Sequence, residues 1–190
     1  MGLSMLMSAA PCKAHPAACN GAEMAADHIS TISSHLDGDY TLIHRAPRRV
    51  GSEYECDNGV YAYFTAGYTS RDGKWNEMNF GFHPDRDHNG TAVSCEHHDD
   101  TGGYHEAVEG LGASYRATFN TFVIRLRKGS LTWLVGYGDG PLEKVHHAEA
   151  KLTEPMTTRL ILRTNWRNGD PGSMADHVWE VGHFSFVPVA

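Results

Sequence analysis

The stretch Ser70-Arg71-Asp72-Gly73-Lys74-Trp75-Asn76-Glu77-Met78-Asn79-Phe80-Gly81-Phe82-His83 decides how the rest of the chain is read. Ser70 to Gly73 is a turn, since Ser, Asp and Gly are the residues turns favour. Trp75 to His83 then reads as a strand. Successive strand side chains point to opposite faces, so Glu77, Asn79, Gly81 and His83 share one face. Upstream, Val60 to Thr69 is rich in aromatic and β-branched residues and forms the strand before the turn.

Working outward, Tyr40, Leu42 and His44 alternate with Thr41, Ile43 and Arg45 until Pro47 breaks the run. After the loop Pro84 to Gly90, Thr91 to His98 is a strand and Asp99 to Gly103 a turn. Phe119 to Arg127 and Leu131 to Tyr137 flank Lys128-Gly129-Ser130, a hairpin with Gly at its turn. Thr157 to Thr164 and His177 to Val187 complete the set. About eight to ten strands with short turns and almost no helix predict an all-β, two-sheet sandwich. There is no internal repeat and no linker. Residues 1–35 are expected to be a leader or a loosely docked segment, within which Glu23 to Ile32 suits a short helix. The β-sandwich domain is expected to span 36–190.

Composition bounds the function. With 190 residues the chain suits one domain with a real core, and 41% hydrophobic against 21% charged residues marks it as globular. A net charge of −7 gives no basic footprint for nucleic acid. No run reaches the roughly 18 apolar residues of a membrane helix, so neither nucleic acid nor membrane is an expected partner. The opening MGLSMLMSAA is mildly apolar but lacks a basic start. The chain is secreted if that segment is a signal and cytoplasmic otherwise. Asn89-Gly90-Thr91 is a glycosylation sequon that matters only in the secreted case.

Cys12, Cys19, Cys56 and Cys95 include no CxxC pair, so a structural zinc site is not expected. Cys12 with Cys19 would close a short loop. Among thirteen histidines, His97-His98-Asp99-Asp100 has the look of metal chemistry. On a strand, however, His97 and His98 point to opposite faces. The simpler expectation is a solvated strand end, and the same holds for His146-His147.

The segment Trp75-Asn76-Glu77-Met78-Asn79-Phe80-Gly81-Phe82 resembles the active-site strand of glycoside hydrolase family 16, which reads W-x-E-I-D-I-E-F or close to it. Lichenases, laminarinases and xyloglucan and fungal wall transglycosylases belong to that family. Other pieces fall in the family's order. Gly38-Asp39-Tyr40 to Arg45-Ala46-Pro47 looks like its G-x-Y/F strand, and Gly59 to Phe64 like the strand before the active site. Tyr104-His105-Glu106 to Leu111-Gly112 resembles H-E-x-x-x-x-L-G. Phe119 to Phe122, continuing to Leu131 to Val135, matches F-H-x-Y…I-x-W-Y-V. The resemblance covers residues 36 to 190. It implies a concanavalin A-like β-jelly roll, two antiparallel sheets with a concave cleft for a polysaccharide or oligosaccharide. The family's opening strands have little room before Gly38, so the chain is expected to be shortened there. Some relatives bind calcium, so a structural calcium is left open, and no other cofactor is expected.

Retaining glycosidases need a nucleophile and an acid/base about 5–5.5 Å apart. Carried over from the family, Glu77 falls on the nucleophile, Asn79 on the Asp that orients it, and Gly81 on the acid/base. Gly81 has no proton to give, and general acid help is worth about 10²–10⁴-fold. Two substitutes are conceivable: His83, on the same face, and Glu96, which falls on a cleft Asn of the family; the alternative is that they only hydrate a degenerate cleft. His98 would share the face of Glu96. A metal held by this His/Glu set is the less favoured alternative. Trp75 falls on the family's sugar-stacking Trp, and a flat indole suits the apolar face of a pyranose. Trp166 falls near the family's N-x-W segment at the cleft, and Tyr63 and Tyr61 can line it. Trp133 is expected in the core and Arg45 at a strand end. Three functions follow: a family enzyme acting on a β-glucan-type polysaccharide, a non-catalytic carbohydrate-binding protein, or a repurposed cleft doing acid/base chemistry on another small molecule.

Overall fold

The computed structural model describes residues 5–8, 26–49, 60–82, 92–111, 115, 118–164 and 177–189. Two six-stranded sheets, antiparallel throughout, make the sandwich. The first runs in the order β1 (Met5–Ser8), β12 (His177–Pro188), β3 (Gly38–Arg49), β8 (Asn120–Arg127), β9 (Ser130–Tyr137) and β10 (Glu143–Glu149). The second runs β2 (Ala26–His35), β11 (Met156–Thr164), β4 (Val60–Thr69), β5 (Trp75–Phe82), β6 (Ala92–His98) and β7 (Tyr104–Gly110). This is the all-β jelly-roll sandwich expected from the strand pattern.

The strands that the pattern underestimates lie at sheet edges. Five of the seven β7 residues are exposed, and β10 is similarly polar, so neither shows a clear apolar alternation. From Ala26 onward the segment expected as a short helix is instead β2, paired with β11 from His35↔Met156 to Ala26↔Arg163, and Glu23 to Ala25 lie outside the described residues. Ala, Glu and Met favour helix in isolation, but Ile29, Thr31 and Ile32 are β-branched and β11 supplies a ladder. With β1 paired to β12, two strands precede Gly38, where the resemblance leaves little room. Pro47 does not end its strand either. β8 pairs only with Gly38 to His44, and the β12 register shifts between Val178 and Glu180, opposite Ala46 and Pro47. A proline is tolerated at such a bulge because no ladder donor is needed from it.

The β8–β9 turn behaves as its sequence predicts. Lys128 (φ 49°) and Gly129 (φ 85°) are both left-handed, as a two-residue hairpin turn of matching twist requires. The Lys128 amide donates to the Asp37 carboxylate at 3.2 Å.

The core lies between the sheets. Phe80 and Phe82 each meet Phe122 edge-on at 5.1 Å. Tyr40, Leu42, Phe64, Met78, Ile124 and Leu160 are buried around them. Trp133 is fully buried as expected, and its Nε1 donates to the Asn79 carbonyl at 2.8 Å, tying one sheet to the other. His44 is the unexpected core residue. Trp179 Nε1 donates to its Nδ1 at 2.8 Å, so the imidazole proton sits on Nε2, which has no partner. Burial pushes the His44 pKa down to about 3.

Cys95 is a buried free thiol whose pKa burial raises well above the usual range. Cys12, Cys19 and Cys56, and the Asn89 sequon, lie outside the described residues. Among the described residues no helix is long and apolar enough to cross a membrane.

Candidate functional site

The tight turn between β4 and β5 sets the site. Gly73 adopts φ 82°, and its amide donates to the Ser70 carbonyl at 2.9 Å. The Ser70 hydroxyl and Lys74 hold the exposed Asp72 carboxyl down at about 2. This turn fixes the register Thr69↔Trp75, Gly67↔Glu77, Thr65↔Asn79 and Tyr63↔Gly81. On the other side, β6 places His98 opposite Glu77, Glu96 opposite Asn79 and Ser94 opposite Gly81. β7 adds Tyr104 beside His98 and Glu106 beside Glu96. β11 adds Arg159 beside Thr65 and Ile161 beside Tyr63. Directly opposed residues share a face, so one polar array crosses five strands on the outer face of the second sheet.

Glu77 is at its centre. Its Oε2 accepts from Trp75 Nε1 at 2.7 Å and from Thr65 Oγ1 at 3.1 Å. Its Oε1 stands 4.0 Å from His98 Nε2. One carboxylate oxygen is thus anchored while the other is turned toward an imidazole. Asn79 shares the face but makes no hydrogen bond to Glu77. Its Oδ1 is buried without a partner. The orienting contacts that the resemblance implies for Asn79 come here from Trp75 and Thr65.

Glu96 is only 5% exposed, and the Ser94 hydroxyl donates to it. It lies diagonally across from Glu77, and such pairs stand about 7–8 Å apart. Gly81, which the resemblance puts at the acid/base position, has Tyr63 and Ser94 opposite it. Tyr63 is half-buried within the array. His83 and Trp166 lie outside the described residues.

Trp75, which falls on the family's sugar-stacking Trp, is half-buried. Its ring lies across Gly67, where a Cβ would come within 2.6 Å of the indole Cζ2. The Arg159 guanidinium carbon sits 4.6 Å from the ring centroid. One face of the indole is therefore covered, and its N–H is committed to Glu77. Thr65 and Gly67 could have been found by folding β4 back across the Ser70 turn. Arg159 and Tyr104 depend on which strands become neighbours, and no local pattern gives that.

His97 and His98 do part to opposite faces. His97 is no solvated strand end, however. It is buried against His105, with ring centroids 4.6 Å apart, and near Trp133. Burial and then the charge of His105 lower its pKa. His146 is half-buried, 5.4 Å from Trp133 and 3.2 Å from Glu109, whereas His147 is exposed. Arg45 and Arg48 both reach Glu180 rather than the array. Among the described residues no three His, Cys, Asp or Glu side chains converge to hold a metal.

No protein-family model and no curated protein matches the sequence. Solved structures do match the fold. A β-glucanase from Bacillus licheniformis superposes with a TM-score of 0.62 at 16% identity, covering 100% of this chain and 94% of that one. A lichenase from a mouse hindgut metagenome gives 0.63 at 16%, covering 85% and 71%. The laminarinase catalytic domain of Thermotoga maritima gives 0.62 at 13%, covering 88% and 70%. The chain has the fold of these β-glucan enzymes. They are of the kinds named above for family 16.

Proposed function

We propose that this chain takes a β-glucan-type polysaccharide or oligosaccharide across the outer face of the second sheet and cleaves or transfers its linkages through a glycosyl ester on Glu77. The observation that carries this reading is the Glu77 carboxylate. Two donors fix one oxygen, Trp75 Nε1 and Thr65 Oγ1, and the other is left to face a neighbouring titratable group. A nucleophile needs that arrangement, because its attacking oxygen must be positioned without being consumed. The fold shared with β-glucanases and laminarinase supports the substrate class. The unpartnered Oδ1 of Asn79 beside it is an acceptor that a small shift would offer to a sugar hydroxyl. Trp166 and Tyr63 remain candidates for sugar contact.

Gly81 favours a second reading, a carbohydrate-binding protein without turnover, since the family's proton donor is missing there. Reducing-sugar release from lichenan, laminarin and xyloglucan, with chain-length analysis for transfer, separates the two. The expected result is activity that falls by at least about 10³-fold in Glu77→Gln while oligosaccharide binding survives. Binding without turnover in the unaltered protein would support the second reading. Neither binding nor turnover would point to a cleft repurposed for a non-sugar ligand.

A further inference from the structure

A glycosidic oxygen needs a proton as it leaves, and Gly81 supplies none. Among the side chains placed near Glu77 on the described outer face, those carrying a carboxyl or an imidazole are Glu96, Glu106 and His98. Glu96 is nearly sealed and hydrogen-bonded to Ser94, so a sugar oxygen cannot reach it without rearrangement. Glu106 is exposed but lies on edge strand β7, one strand beyond Glu96. His98 is directly opposite Glu77 with its side chain 37% exposed, against 18% for Glu77. Its ring leans on Tyr104, with centroids 4.6 Å apart, which leaves the Nε2 edge turned toward Glu77.

We infer that His98 is the acid/base that replaces the missing carboxylic acid. The inference rests on the glycosyl-ester reading of Glu77. The present 4.0 Å gap is shorter than the about 5–5.5 Å that separates a retaining pair, and an exposed imidazole has room to give way as substrate enters. In the first step Glu77 Oε1 bonds to the anomeric carbon. The bond from that carbon to the leaving oxygen breaks, and the imidazolium gives its Nε2 proton to that oxygen, releasing an alcohol. In the second step neutral Nε2 takes a proton from water. The water oxygen bonds to the anomeric carbon, the ester to Glu77 breaks, and the carboxylate and imidazolium are restored. An imidazole serves both directions because the same nitrogen can give a proton and take one back.

The test compares leaving groups. Lichenan would leave as an alkoxide and needs a proton at the leaving oxygen, whereas 2,4-dinitrophenyl β-cellobioside leaves a stable phenolate and does not. In His98→Gln, turnover of lichenan is expected to drop about 10²–10⁴-fold. The dinitrophenol burst should stay within a few-fold, and added azide should restore turnover as a β-glycosyl azide. An equal loss on all substrates, no loss, or this same pattern in Glu96→Gln instead of His98→Gln would overturn the assignment. If the unaltered protein forms no glycosyl-enzyme from the dinitrophenyl substrate, the Glu77 reading fails first and His98 falls with it.

Discussion

The two sides of β5 carry different kinds of chemistry on one backbone. Met78, Phe80 and Phe82 point inward, at most 2% exposed, and pack against the opposite sheet. Trp75, Glu77 and Asn79 point outward, where Trp75 and Thr65 of β4 hydrogen-bond Glu77 and where His98 and Glu96 of β6 stand opposite. The inner side depends on volume and apolarity, which many sequences satisfy. The outer side depends on named atoms, Trp75 Nε1 to Glu77 Oε2 above all. By the resemblance, the scaffold positions match and the departures fall on the outward side, at Asn79 and Gly81.

The largest effect should come from the inner side. Phe80→Ala is expected to cost about 3–5 kcal/mol of stability, measured by urea unfolding, because a fully buried ring leaves a cavity. Residual folded protein should keep its glycan affinity. A specific loss of affinity without loss of stability would mean that the two sides are not separable.

Trp75→Phe tests the outer side. It removes the 2.7 Å hydrogen bond to Glu77 while keeping a flat ring. A hydrogen bond to a charged group is worth about 1.5–3 kcal/mol, or roughly 10–100-fold in rate. If Trp75 anchors Glu77, kcat falls by that factor and KM holds. If it is mainly a sugar platform, the loss appears in KM.

The last effect concerns His44, a polar group on the inner side of the other sheet. Its folded pKa of about 3 lies below its ordinary 6.5. Between those values the unfolded chain binds the proton and the folded chain does not. Stability is therefore intact above about pH 6.5 and declines as pH falls toward 3, at about 1.4 kcal/mol per pH unit from this residue. Urea titrations between pH 7 and pH 4 should show that slope reduced in His44→Gln. An unchanged slope would place the acid sensitivity elsewhere.

The outward alternation was legible in the sequence because a strand has a period of two and the Ser70 turn is tight. That was enough to place Glu77, Asn79, Glu96 and His98 on one face. Three things were not legible. Arg159 reaches Trp75 only because β11 lies beside β4, a pairing between residues far apart in the chain. Trp75 reads equally as a sugar platform or a half-buried aromatic, and the contacts of its ring with Gly67 and Arg159 come from strand pairing alone. The β2 segment reads as helix because Glu23, Met24 and Ala25 just before it favour one, and the edge of β11 decides otherwise.

The strand order also bears on how the protein is made. β3 lies between β12 and β8, and β4 between β11 and β5. A chain leaving the ribosome N-terminus first exposes β3 and β4 long before their last partners exist. Each then presents an unpaired edge, the kind of surface that invites association with other chains. Arg159 meets Trp75 only when β11 has emerged and docked, so the outer array can be completed only late in synthesis.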